Sequence, residues 1–118
     1  MKSFISNTSA LAFGEFYMLF LQISKHSIES CPMHNEKVKK VYMDSYAKLD
    51  PLMKKHGIKI VGAWTSMPDH LTVMVCEAPN MEAFMKFSME PEAMMWASYN
   101  DSEIRVVMTL EESMKMMK

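Results

Sequence analysis

The stretch IKIVGAWTSMPDHLTVMVCEA, residues 58–78, holds two runs rich in β-branched and apolar residues around a short polar break. Ile58 to Thr65 and Leu71 to Ala78 have the length and composition of strands. The segment MPD at residues 67–69 has the composition of a turn. These features predict a β-hairpin in the middle of the chain.

The segments before the hairpin predict a strand, a polar loop and a long helix. Phe16 to Ser24 is rich in aromatic and aliphatic residues and has the length of a strand. Asn35 is a suitable N-cap, and apolar residues then recur at helical spacing until Gly57, a natural residue to follow a helix end. Pro51 should bend or split this helix because it removes a backbone donor.

The segments after the hairpin repeat this order. Pro79 and Asn80 open a second helix, which Pro91 restarts. Glu103 to Thr109 is a fourth strand, and Leu110 to Lys118 predicts a short C-terminal helix with Thr109 as its N-cap.

The element order is therefore β-α-β-β-α-β, which predicts a ferredoxin-like α+β fold. Right-handed crossovers lead to an antiparallel sheet of order 4-1-3-2, with both helices on one face. We expect residues 16–118 to form this single domain and residues 1–15 to form a loosely ordered extension.

Composition excludes several classes of function. The chain has 118 residues, a hydrophobic share of 49% and a net charge of −1. That charge gives no broad electrostatic reason to bind nucleic acid or an anionic membrane, and no apolar run approaches the length of a bilayer span. Two cysteines make no disulfide framework, so we expect a reduced, cytoplasmic protein. The chain is rich in methionine, with 16 residues spread along its length, which favours packing and compositional bias over a soft-metal motif.

The strands are apolar on both faces. In the third strand Leu71, Val73 and Val75 alternate with residues that are also largely apolar. One helix layer covers only one face of the sheet, so a second cover is needed. We expect a homodimer built through the other face, with the N-terminal extension or the C-terminal helix as alternative covers.

Two histidines fall where neighbouring strands meet. His26 follows the end of the first strand and His70 begins the third. In the 4-1-3-2 sheet these points are adjacent, so we expect both side chains to share a ligand, an ion or a water. Either histidine could serve as a catalytic general base.

Cys31 and His34 lie in the loop that leaves the same edge of the sheet, 25–35, and enters the first helix. With His26 and His70 they form a possible Cys/His₃ metal site, suited to Zn, Fe or Cu. Inert loop roles remain the alternative for each of the four residues. His56 is better explained as a residue that caps the first helix.

With this order established, the chain resembles the dimeric α/β-barrel superfamily. That group includes antibiotic-biosynthesis monooxygenases, stress-responsive barrel proteins and haem-degrading enzymes, and the likeness is greatest to uncharacterised small prokaryotic members. The likeness covers about residues 17–113 and is carried by 26–36, 57–64, 68–70 and 77–79. It implies the fold and a dimer, and it leaves the activity open.

Three functions remain in competition. The first is a small dimer that binds a metal ion or haem at the His/Cys cluster. The second is an enzyme without a cofactor, monooxygenase- or isomerase-like, that acts on a small apolar substrate through a histidine base. The third is a regulatory or assembly module without catalysis.

Overall fold

The computed structural model describes residues 17–118. The predicted extension at residues 1–15 therefore lies outside the described residues. The elements, in chain order, are β1 (Met18–Lys25), α1 (Glu36–Lys55), β2 (Lys59–Ser66), β3 (Leu71–Ala78), α2 (Met81–Ser88), α3 (Pro91–Ala97), β4 (Asp101–Val107) and α4 (Leu110–Met116).

The four strands form one antiparallel sheet of order β2-β3-β1-β4. This order is the predicted 4-1-3-2 arrangement counted from the opposite edge, so the ferredoxin-like fold is confirmed. β1 pairs with β3 from Met18 opposite Ala78 to Lys25 opposite Leu71. β2 contains an irregularity between Ile60 and Gly62, where one extra residue enters the strand.

The core lies between the sheet and the helices. Phe20 is fully buried and stacks on Phe84 of α2, with ring centroids 4.5 Å apart and planes 3° from parallel. Met53 of α1 and Cys76 of β3 belong to the same buried cluster. Cys76 is paired with Phe20 on the neighbouring strand, so both side chains lie on the same face of the sheet. The helices cover this face.

Helix α1 is continuous across Pro51, so the possibility of a split helix is not realised. Pro51 has no N–H to donate to the carbonyl of Ala47, four residues earlier in the helix. Both residues are exposed, so water can bind this carbonyl. The helix ends as predicted at Gly57, which has a φ of +71°. Ile58 donates to the Met53 carbonyl at 2.9 Å and Gly57 donates to the Lys54 carbonyl at 3.0 Å, which is the Schellman arrangement.

The C-terminal half also follows the predicted order. Pro91 begins a separate helix, α3, and β4 starts two residues before the predicted Glu103. Thr109 caps α4, as predicted, through a reciprocal pair of bonds with Glu112. None of the helices in residues 17–118 combines the length and apolar character that a membrane crossing requires.

The sheet face away from the helices is apolar and only partly covered. Leu21 lies opposite Val75, and Ile23 lies opposite Val73, all on this face and all half-buried. Trp64, paired with Val73 from β2, is 44% exposed. The described residues therefore leave a continuous apolar surface across the three strands.

The methionines do not occupy the positions expected for packing. Met53 is the one buried methionine in residues 17–118. Twelve are exposed: Met33, Met43, Met67, Met81, Met85, Met89, Met94, Met95, Met108, Met114, Met116 and Met117. Packing within residues 17–118 therefore does not account for these twelve, and compositional bias, the other part of the prediction, does not depend on where a methionine lies.

A small ion cluster joins the end of α1 to the turn between α2 and α3. The His56 imidazole lies 2.6 Å from the Glu90 carboxylate, and the Lys55 ammonium lies 2.8 Å from the same oxygen. The His56 and Glu90 side chains are 13% and 15% exposed. His56 therefore caps the helix through its backbone, as predicted, and also makes a tertiary hydrogen bond to Glu90 that its position in the sequence does not reveal.

This cluster predicts a pH-dependent contribution to stability. Hydrogen bonds from Lys55 and His56 hold the pKa of Glu90 below its ordinary value of 4.5. The contribution is therefore present above pH 4.5 and is lost as the pH falls through the lower pKa of the folded state. We expect Glu90→Gln to have a lower melting temperature than the wild type above pH 4.5 and the same melting temperature as the wild type in strong acid. Glu92→Gln is the control, since its carboxylate makes a longer contact of 3.8 Å to Lys48; an offset for Glu90→Gln that is the same at every pH would contradict the assignment.

Candidate metal centre

His26 and His70 are brought together by the pairing of β1 with β3. The last pair of this ladder is Lys25 with Leu71. His26, which follows Lys25, therefore lies beside His70, which precedes Leu71. The His26 amide donates to the His70 carbonyl at 3.2 Å. His26 Nε2 then lies 3.3 Å from His70 Nδ1, and the predicted proximity of the two rings is confirmed.

His70 occupies a strained position in the hairpin turn. Its φ is +53°, and no other non-glycine residue in residues 17–118 has a positive φ. The chain reverses through residues 67–70, and its last turn residue must be left-handed to re-enter β3. Glycine or asparagine usually takes such a position, so a histidine there carries a backbone cost. Strain of this kind concentrates at functional sites.

Cys31 is placed by the compact loop that precedes α1. Its amide donates to the Ile28 carbonyl, and its own carbonyl accepts from the amides of His34 and Asn35 at 3.0 and 2.9 Å. The Asn35 side chain then caps α1 by accepting from Lys37 and Val38. These bonds turn the loop inward at Cys31, whose side chain is 5% exposed.

The three side chains converge on one another. One ligand atom each from His26, Cys31 and His70 lies within 4.8 Å of the other two. His34 is not part of this group, and its side chain is exposed. It stands three residues beyond Cys31, after the chain has turned outward to begin α1, and the predicted fourth ligand therefore does not converge with the others in this structure.

Tyr42 and Asn100 complete the surroundings of His26. The Tyr42 hydroxyl lies 3.5 Å from His26 Nδ1 and donates to Asn100 Oδ1 at 3.1 Å. The Asn100 amide in turn donates to the Trp96 carbonyl at 2.9 Å. The helical spacing in the sequence places Tyr42 on the apolar face of the first helix and gives no role to its hydroxyl. Its hydroxyl was the available clue, because a tyrosine on a buried face needs a hydrogen-bond partner.

The surroundings of His26 and Tyr42 favour the neutral forms of these two side chains. Burial, and then the neighbouring His70, lower the pKa of His26. Burial raises the pKa of the Tyr42 hydroxyl, and the hydrogen bond to Asn100 opposes that shift. Cys76 lies apart in the core, where burial raises the pKa of its thiol to about 12, as is typical of an inert packing residue.

The strain at His70 can be measured directly. We expect His70→Gly to be more stable than His70→Ala by about 1 kcal/mol, because both remove the imidazole but only alanine retains the penalty of a positive φ. Chemical denaturation of the two variants gives the difference. At Asp69, which has no positive φ, the same pair should show the reverse order, with alanine more stable. An alanine variant at His70 as stable as the glycine variant would show that the turn carries no strain.

Comparison with known proteins supports the fold and leaves the activity open. RPA0582 from Rhodopseudomonas palustris, a protein of unknown function, has a TM-score of 0.50 at 12% identity, covering 89% of this chain and 92% of its own. Its methylated form gives the same TM-score and identity, with 89% and 90% covered. A mutant of SnoaB, a cofactor-independent oxygenase from Streptomyces nogalater, has a TM-score of 0.48 at 12% identity, covering 80% and 93%.

No curated protein matches the sequence significantly. A family model does match, and it covers residues 18–118, which include the four strands and four helices described above and the three converging side chains. The fold agrees with the ferredoxin-like fold that the predicted likeness implies. The chain belongs to the DUF3303 family, a domain of unknown function.

Proposed function

We propose that this protein binds a transition metal ion through His26, Cys31 and His70. The observation that supports the proposal is the 3.3 Å separation of His26 Nε2 and His70 Nδ1. Two nitrogens bound to tetrahedral zinc at about 2.0–2.1 Å stand about 3.3–3.4 Å apart. The imidazole pair therefore already has the spacing of one edge of such a site.

Cys31 supplies the third donor. A zinc-bound sulfur at about 2.3 Å stands about 3.6 Å from a nitrogen ligand. Since the three ligand atoms lie within 4.8 Å of one another, closure of at most about 1.2 Å is needed, which side-chain rotation can provide. Two nitrogens and a thiolate suit zinc best, with iron or copper as other ions of the same borderline class. Three converging donors favour a bare ion over haem, whose iron takes a single protein ligand on each side.

The arrangement leaves one coordination position for water or a substrate. Three protein ligands with an open fourth position are typical of catalytic zinc sites, whereas structural sites are closed by four. Cys31 and Cys76 are both free thiols. The proposal agrees with the predicted cytoplasmic location, where reducing conditions would keep Cys31 available as a ligand.

Metal titration tests the proposal. We expect one Zn²⁺ per chain, with Co²⁺ giving a thiolate-to-metal charge-transfer band that Cys31→Ser abolishes. His26→Ala/His70→Ala should lower zinc affinity by at least about 100-fold, more than the loss of a typical outer-shell partner. At free zinc 100 times the dissociation constant, binding should stabilise the wild type by about 2.7 kcal/mol.

His34→Ala is the matched control, because it removes an exposed imidazole from the same loop. Its zinc affinity should equal that of the wild type. A reduction as large as that of the double variant would place His34 among the ligands. A protein purified without a histidine tag that contains no metal and gains no thermal stability from Zn²⁺, Co²⁺ or Cu²⁺ would refute the metal site.

A second candidate function uses the same histidines without metal. The lowered pKa of His26 keeps its imidazole neutral and able to accept a proton near pH 7. Ile104 and Val106 lie on the side of β4 that faces the helices, and they are 47% and 51% exposed. The two side chains therefore form an exposed apolar surface on that side of the sheet. These two observations support a histidine-based enzyme that acts on a small apolar substrate.

We also propose that the chain forms a homodimer through the sheet face away from the helices. The half-buried apolar side chains of β1 and β3 on this face would lose their remaining exposure against a second copy. A two-fold axis would pack the same surface of each copy against the other. Residues 17–118 leave this side of the sheet only partly covered, and a second sheet of the same shape is a natural complement.

A charged substitution distinguishes the two faces of the sheet. Val73 lies on the uncovered face, whereas Val106 lies opposite Phe20 on the helix-facing side and is 51% exposed. We expect Val73→Glu to convert a dimer at micromolar concentration into a folded monomer, because burial of an unpaired carboxylate is costly. Val106→Glu should remain dimeric. Light scattering measures the mass and circular dichroism confirms folding; a wild-type protein with the mass of a monomer would remove the proposal.

A further inference from the structure

The orientation of the Asn100 amide is determined by its neighbour. A backbone carbonyl can only accept hydrogen bonds, and the group of Asn100 that faces the Trp96 carbonyl at 2.9 Å must therefore be its NH₂. Oδ1 consequently faces Tyr42 at 3.1 Å. This oxygen can only accept, so the single hydroxyl hydrogen of Tyr42 is used in the bond to Asn100.

The same logic extends to His26. With its hydrogen committed to Asn100, the Tyr42 oxygen can offer only a lone pair to His26 Nδ1, 3.5 Å away. A hydrogen bond at that contact requires Nδ1 to carry the proton. A neutral imidazole has one N–H, so Nε2 then holds the lone pair, and this is the atom that faces His70.

We infer that Tyr42 and Asn100 are positioning residues that hold His26 in the Nδ1–H tautomer, with Nε2 prepared as a metal ligand. The inference rests on the proposed metal site and specifies which nitrogen of His26 carries the proton and which nitrogen would bind the metal. Outer-shell hydrogen bonds of this type fix the tautomer and ring orientation of metal-bound histidines. Here a tyrosine held by an asparagine takes the role that a carboxylate or carbonyl often fills.

His70 is not set in the same way. In the absence of metal its Nδ1 must donate to the lone pair of His26 Nε2, because the two nitrogens are 3.3 Å apart and one proton lies between them. Metal binding to both atoms would displace that proton. His70 would then change from the Nδ1–H to the Nε2–H tautomer, while His26 would remain unchanged.

Imidazole ¹⁵N–¹H correlation spectra test this assignment in the full-length chain. In the metal-free wild type we expect the Nδ1–H pattern for His26, at a pH where the ring is neutral. Tyr42→Phe removes the acceptor and should convert His26 largely to the Nε2–H form. Zinc affinity should fall by about 10- to 100-fold, the range typical of outer-shell partners.

Asn100→Ala gives a second and sharper test, because Asn100 touches neither histidine through a hydrogen bond. Its removal frees the Tyr42 hydrogen to donate to His26 Nδ1, which would reverse the tautomer. We therefore expect Asn100→Ala to shift the His26 spectrum as Tyr42→Phe does. Tyr46→Phe is the matched control, since Tyr46 lies one turn further along α1 and is 78% exposed; its spectrum and affinity should equal those of the wild type.

The outcomes separate this inference from the proposed function. Folded Tyr42→Phe and Asn100→Ala variants that keep the Nδ1–H form of His26 would overturn the inference even if zinc binds. A tautomer change in both variants, in a protein that binds no metal, would support the positioning role of Tyr42 and Asn100 and would refute the metal site. An Nε2–H pattern for His26 in the metal-free wild type would overturn the inference by itself.

Discussion

The antiparallel register of β1 with β3 is the constraint on which both the core and the candidate site depend. At one end it places Phe20 opposite Cys76 beneath the helices, and at the other it places His26 beside His70. A slip of one residue would move Phe20 to the other face of the sheet and shift the histidines by about 3.4 Å along the strand. Core packing therefore holds the imidazole pair in place, and the same hydrophobic pattern that folds the sheet also assembles the site.

Much of the architecture was predictable because it depends on local signals and on a few rules of connectivity. Asn35 and Thr109 begin helices, Gly57 ends one, and alternating turn and strand segments give the βαββαβ order. Once the order is known, topology alone brings His26 to His70, because a strand and its antiparallel neighbour meet end to start. No motif was needed to locate this pair.

The parts that were not predictable depend on contacts between distant segments. Tyr42 and Asn100 are 58 residues apart, and neither position is distinctive in the sequence. The same holds for His56 and Glu90, which belong to a helix end and a turn that meet only in the folded chain. His34 was grouped with Cys31 by spacing, but the direction in which the loop turns depends on backbone bonds to Cys31 that spacing does not encode.

The exposed thioethers give this protein an unusual relation to oxidants. Conversion of a methionine to its sulfoxide turns an apolar side chain into a polar one and damages proteins when it occurs in a core. Here the side chains in contact with solvent can take up oxygen at little structural cost, since Met53 is the methionine buried in the described chain. Oxidation of the twelve exposed side chains would therefore alter the surface of the protein and leave the packing around Met53 intact, and enzymatic reduction of the sulfoxides would restore them.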